Sequence, residues 1–150
     1  MWRKLIATAP IWVTVPLRLA LGIIFIAHGA QKVFGAFGGR GLAAFTSREA
    51  PLALRPAWLW LGAAAFAELL GGALVLIGLL TRLGALLIAS VMVVAMLGVH
   101  WGAFFMSNEP VPGIEFTVAL LGMALALLIS GGGQASVDQM LMNRRSRRRF

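Results

Sequence analysis

The chain contains no cysteine, which excludes disulfide pairing, thiol exchange and thiolate metal sites for this chain acting alone. Any redox role would then need a borrowed cofactor or a partner. Charge is scarce as well: only 12% of the 150 residues are Asp, Glu, Lys or Arg, too few for the surface of a soluble globular protein. No convincing internal repeat is present, and no metal, phosphate-loop or dinucleotide signature. What remains is apolar. The chain is 60% hydrophobic with a mean hydropathy of +0.90.

Crossing a hydrocarbon core of ~30 Å takes about 20 apolar residues in a helix. Four such stretches can be cut from the sequence, at 11–34, 57–80, 83–106 and 113–129. The expected fold is therefore all-α, a single-domain integral membrane bundle of four transmembrane helices, with almost nothing left for a soluble domain. Pro16 suits the first turn of the first helix, where a missing amide is harmless. The only long connection, 35–56, is rich in glycine and carries the apolar patch Leu42-Ala43-Ala44-Phe45. That patch either lies on the membrane surface or folds back over the bundle. A tight hairpin is expected at Leu80-Thr81-Arg82, and Asn108, Glu109, Pro110 and Pro112 mark a loop. Gly131-Gly132-Gly133 stops the fourth helix, and 131–150 then reads as a short amphipathic helix over 136–142 followed by a basic tail.

The net charge of +8 is concentrated at the ends, in Arg3 and Lys4 and in Arg144, Arg145, Arg147, Arg148 and Arg149. The positive-inside rule places both termini in the cytoplasm, and an even number of helices agrees. Arg40, Arg48 and Arg55 in the first connection are a smaller counterweight. Only Leu5-Ile6 precedes Ala7 as an apolar run, too short for the core of a cleaved signal peptide. Trp2 and Trp12 read as interfacial anchors. The terminal arginines read as topology determinants that touch anionic lipid, not as a nucleic-acid site. Small residues at four-residue spacing (Ala63, Ala67, Gly71, and Gly98, Gly102) let helices approach closely within one bundle, with a homo-oligomer interface as the alternative.

The functional signal lies in the ionisable residues inside these apolar stretches. Each costs roughly 2.5–3.5 kcal/mol to insert at mid-membrane, so such groups are expected to face the bundle interior and pair with one another. His28, Gln31 and Lys32 share one face of the first helix by their spacing. At ~1.5 Å per residue, His28 lies roughly 18 Å above Pro16 and Glu68 roughly 18 Å above Leu80, with Lys32, His100 and Glu115 higher. One polar pocket toward the outer face accounts for all six. A Glu68–His28 or Glu68–Lys32 pair would neutralise the charges, and Arg18, nearer the inner boundary, would snorkel to headgroups.

Three chemical readings follow. In the first, the pocket takes a quinone-like or other amphipathic ligand; Glu68 and His28 form the buried pair, and His100 and Glu115 gate access from outside. In the second, the polar groups only fix helix register and the bundle is a non-enzymatic scaffold that recruits a partner protein. In the third, His28 and His100 are the axial ligands of a b-type haem, against which a depth mismatch of several Å weighs. A small transporter would need a polar passage to the inner face, where the sequence reads as apolar.

At these residues the sequence resembles the DoxX family of small four-helix membrane proteins, from residue 16 to 138. The resemblance is carried by His28-Gly29-Ala30-Gln31-Lys32-Val33-Phe34-Gly35, by Glu68-Leu69-Leu70-Gly71-Gly72, and by Gly78-Leu79-Leu80-Thr81-Arg82-Leu83. Met92, Ala95, His100 with Phe104-Phe105, Gly113-Ile114-Glu115, and Ser136 with Asp138 continue it in order. It implies a multi-pass protein of the bacterial inner membrane. Some relatives are the small, quinone-facing subunit of thiosulfate:quinone oxidoreductases, and others are proposed to join a detoxifying complex with superoxide dismutase and a thiol oxidoreductase. The expected function is thus a membrane subunit of a redox or stress-response system, with a redox partner protein and no standalone activity. No covalent cofactor is expected.

Overall fold

Backbone immersed in lipid must satisfy its own amides and carbonyls, so stretches this apolar fold as helices. The computed structural model describes residues 5–101 and 113–147, with side chains as far as Arg144, and these residues form helices and connections without a strand. The elements are α1 (Thr14–Val33), α2 (Gly41–Thr46), a 3₁₀ turn (Pro51–Ala53), α3 (Ala57–Ile77), α4 (Thr81–Gly98), α5 (Glu115–Ser130) and α6 (Val137–Arg147). Of these, α1, α3 and α4 are long and apolar enough to cross a membrane, and α5 is a shorter apolar helix. The protein is an all-α, multi-pass membrane bundle.

Close approach between helices depends on glycine. A Cβ on Gly29 of α1 would lie 2.6 Å from the Cα of Leu69, and one on Gly72 of α3 would lie 2.7 Å from the amide nitrogen of Ile26. These pairings run in opposite directions along the chain, so α1 and α3 are antiparallel. In the same way Gly71 of α3 backs onto Gly84 of α4. Helix α5 packs along α4 and closes the bundle against α1 with a much smaller contact. Leu21, Phe25, Val75, Ile88, Met92, Leu120 and Leu127 fill the space between the helices. Outside, Ile23, Leu70, Leu86, Leu125 and Ile129 are exposed. A bundle apolar both within and without is what a lipid solvent selects.

Two boundaries differ from expectation. The hairpin between α3 and α4 is built on Gly78, Leu79 and Leu80, two residues earlier than the expected Leu80-Thr81-Arg82. Gly78 is left-handed (φ 71°) and ends α3, and the amide of Leu79 reaches back to the carbonyl of Leu74 at 3.0 Å. Thr81 and Arg82 instead begin α4. At the other end, α4 stops at Gly98, short of residue 106, and the 3₁₀ turn packs there: a Cβ on Gly98 would fall 2.6 Å from that of Pro51. Gly102, the 107–112 loop, Trp2, Arg3, Lys4, Arg148 and Arg149 lie outside the described residues, as do the side chains of Arg145 and Arg147.

Candidate functional site: the Lys32–Glu68 pair and the Arg18 clasp

Glu68 sits midway along α3 on the face that also carries Leu61, Ala65 and Gly72, and it is 4% exposed. A lone carboxylate there would be very costly, and its charge is met by the ammonium of Lys32, in the last turn of α1. The side chain of Lys32 is 24% exposed and that of Glu68 only 5%, so the carboxylate is the deeper member of the pair. The short helix α2 crosses above it. The ring of Phe45 lies 5.5 Å from the Lys32 Nζ, a cation–π contact that adds an aromatic roof. The apolar patch of the first connection therefore folds back over the bundle.

The other expected members of the pocket are placed differently. His28 is exposed and does not pair with Glu68; the longer Lys32, one turn nearer the helix end, takes the carboxylate in its place. Gln31 turns toward the glycine-rich connection, its Nε2 donating to the Phe37 carbonyl at 3.4 Å. His100 lies two residues beyond α4 and is half-buried, its amide bonded to the Ala95 carbonyl at 3.1 Å. Glu115 opens α5, where a carboxylate complements the positive end of the helix dipole. Helices α1 and α4, which carry or precede the two histidines, have almost no contact with one another. The described residues hold no group of three or more His, Asp or Glu side chains with metal-site geometry.

The most elaborate buried polar network is one that the sequence reading misses, and it occupies the opposite end of the bundle. Arg18 is buried, and it does not reach out to headgroups. Its guanidinium donates to the carbonyls of Val75 (3.0 Å) and Leu76 (2.9 Å) at the end of α3, and of Gly132 (3.1 Å), Gln134 (3.4 Å) and Ala135 (3.3 Å) after α5. Its rigid fork serves five acceptors that helix ends leave open. Asp138, also buried, receives the amides of Leu80 (2.8 Å) and Thr81 (2.9 Å) and the Thr81 hydroxyl (2.8 Å), capping α4 from within α6. Ser136 caps α6 itself, accepting from the Gln139 amide at 3.1 Å. The hydroxyl of Thr14 donates to the Gly132 carbonyl at 3.0 Å, and Arg82 donates to the carbonyls of Ala7 (3.0 Å) and Ile129 (2.8 Å). One turn of polar groups thus ties α1, the α3–α4 hairpin and both ends of the described chain together. The half of the bundle that reads as apolar is the one with the densest internal hydrogen bonding.

Arg18 carries a signal in the sequence. Arg18 lies inside the first apolar span, where an arginine needs acceptors within the protein. Asp138 is the only acidic residue after Glu115, and it follows Ser136 at the start of a helix.

The sequence model of the DoxX family matches residues 13–101, the segment from the start of α1 to just past α4. The chain belongs to the DoxX family. Over 131 aligned residues it is 32% identical to the protein named "Putative oxidoreductase CatD" of Bacillus subtilis (strain 168), with 83% of this chain and 84% of that relative covered. No solved structure matches. The DoxX match contains both members of the Lys32–Glu68 pair and the roof over them, whereas Asp138 lies beyond it.

Proposed function

We propose that this DoxX-family protein is the membrane subunit of a redox system and that it binds a quinone-like molecule at the Lys32–Glu68 pair. The observation that carries the reading is the pair itself, an ammonium and a carboxylate joined inside an apolar bundle under an aromatic ring. Helices associate in lipid without ion pairs, and apolar replacements of similar volume often hold a bundle as well. Charge kept at such a place in a chain so poor in charge points to chemistry. The name of the Bacillus relative supports the same direction.

The donor set suits a ring carbonyl. The Lys32 ammonium donates to a carbonyl oxygen, and the Glu68 carboxylate beside it holds or passes on a proton. Phe45 covers the site and keeps water from it. A quinone, when bound, supplies two-electron acceptor chemistry. The electrons come from a partner protein, because a chain without cysteine has no dithiol to give them. The arginine-rich ends support an orientation with the Arg18 clasp at the cytoplasmic face of a bacterial inner membrane and the Lys32–Glu68 pair toward the periplasm. A reporter fused after Phe150 is then active only in its cytoplasmic form.

The test is native mass spectrometry of the protein released from nanodiscs loaded with decylubiquinone. A stoichiometric adduct on the wild type, lost in a folded Glu68→Gln variant, is the expected result. A wild type without adduct overturns the reading.

A further inference from the structure

We infer that α6 is a docking site for anionic phospholipid: its first turn is fixed to the bundle at headgroup level, and its apolar residues and the arginines that follow them engage the adjoining leaflet.

The first observation fixes the level of the helix. The start of α6 is held against the α3–α4 hairpin. The amide of Asp138 donates to the Gly78 carbonyl at 2.9 Å, its carboxylate caps α4 at Thr81, and a Cβ on Gly78 would lie 2.6 Å from that of Ser136. Because α3 and α4 are each long and apolar enough to span a membrane, the hairpin that joins them lies at the boundary of the hydrocarbon. Trp12 is exposed at the same end, beside Ile11, whose carbonyl accepts the Gln134 amide at 3.0 Å. Tryptophan concentrates at that boundary. Helix α6 therefore leaves the bundle within the headgroup layer.

The second observation is what the rest of α6 presents. Residues 140–144 are all exposed, Met140, Leu141 and Met142 among them, and α6 has no extensive contact with another helix of the described chain. Three large apolar side chains in a row gain nothing from water, and a helix of 11 residues is too short to hold by itself there. Both features call for a covering surface.

Charge identifies that surface. After Asp138 the chain carries no acidic side chain and five arginines, Arg144, Arg145, Arg147, Arg148 and Arg149. Val137, Met140, Leu141 and Arg144 follow the spacing of one helical stripe. Along it the chemistry passes from apolar to cationic within about 6 Å of helical rise, the order in which a leaflet passes from glycerol to phosphate. An arginine stem can lie along apolar surface while its guanidinium reaches a phosphate. A nucleic acid would match the arginines and leave Met140 and Leu141 without a use, whereas an anionic leaflet takes both.

The chain has no cysteine, so a nitroxide on Leu141→Cys is its only label. The labelled protein is placed in nanodiscs of phosphatidylcholine alone, or of phosphatidylcholine and phosphatidylglycerol in equal parts. Both faces of such a disc are alike, so orientation does not enter. Collisions with the neutral, water-soluble nickel ethylenediaminediacetate are read by electron paramagnetic resonance. The rate is expected to be at least threefold lower with phosphatidylglycerol and to return to the phosphatidylcholine value when the five arginines are replaced by Gln. High salt should have the same effect on the protein with its arginines intact, by screening them from the phosphates. Equal rates in the two membranes overturn the site. So does a label that an RNA oligonucleotide shields and phosphatidylglycerol does not.

Discussion

The carboxylate of Asp138 caps the first turn of α4 from 57 residues away, accepting the Thr81 amide at 2.9 Å and the Thr81 hydroxyl at 2.8 Å. The cap that α4 lacks locally is thus supplied by α6, and folding of the C-terminal segment is coupled to the α3–α4 hairpin. Asp138→Ala leaves two buried amides and a hydroxyl without an acceptor and is expected to cost about 2–4 kcal/mol, from a helix cap of ~1 and the desolvation of the orphaned donors. Thr81→Val removes a single bond and should cost about 1 kcal/mol. Thermal unfolding of the two variants in one detergent gives the ranking.

Arg18 predicts a different failure. Lysine has the charge but not the planar fork, and it cannot reach carbonyls at the end of α3 and after α5 together. Arg18→Lys is expected to lose about 2 kcal/mol or more, and Arg18→Met still more, because unbonded buried acceptors cost about 1–3 kcal/mol each. Limited proteolysis should then cut first near residues 132–135, where the guanidinium holds the carbonyls of Gly132, Gln134 and Ala135, and the wild type should resist at the same protease level.

The glycines of the helix contacts are not equivalent. Gly29→Ala and Gly72→Ala push a methyl into backbone, at 2.6 Å and 2.7 Å from the nearest atoms, and must part α1 from α3. Overpacking of this kind costs about 1–3 kcal/mol. Gly122 of α5 has nothing within 4 Å of its would-be Cβ. Gly122→Ala should be neutral or raise stability by up to about 1 kcal/mol, since alanine is the better helix former. A melting-temperature comparison of the three variants separates contact glycines from the open one.

Lys32 and Glu68 should behave as a unit in a double-mutant cycle. Lys32→Met or Glu68→Leu alone strands a charge in the bundle, at a cost on the order of 3 kcal/mol, while the double variant returns close to wild-type stability. Denaturant unfolding of the four proteins gives a coupling energy. A value near zero would mean that the two charges do not meet in solution.

Hydropathy alone reveals the helices, because lipid imposes helical structure on any run apolar enough to span it. Their ends are less legible. Helix α4 ends at Gly98, where Pro51 packs against it from another part of the chain, a contact that no local pattern encodes. At the site, insertion cost singles out Glu68 and Lys32, but helical spacing cannot choose between Lys32 and His28 as the partner. The choice rests on side-chain reach and on how closely α1 approaches α3 at Gly29. Arg18 and Asp138 are obscured for another reason. Their partners are backbone groups at helix ends, and those become visible only when the ends are placed side by side.

That the Lys32–Glu68 pair is a ligand site is tested most directly by a fluorescence titration. Trp58, Trp60 and Trp101 are exposed near the roofed end of the bundle, within range of quenching by a bound quinone. Decylubiquinone added to wild-type protein in nanodiscs should give saturable quenching with a one-to-one endpoint. In Glu68→Gln and Lys32→Met proteins with unchanged helix content, the affinity should fall at least tenfold. Quenching that rises linearly without saturation, or an identical isotherm in all three proteins, would contradict the claim and leave the pair a structural feature of the bundle.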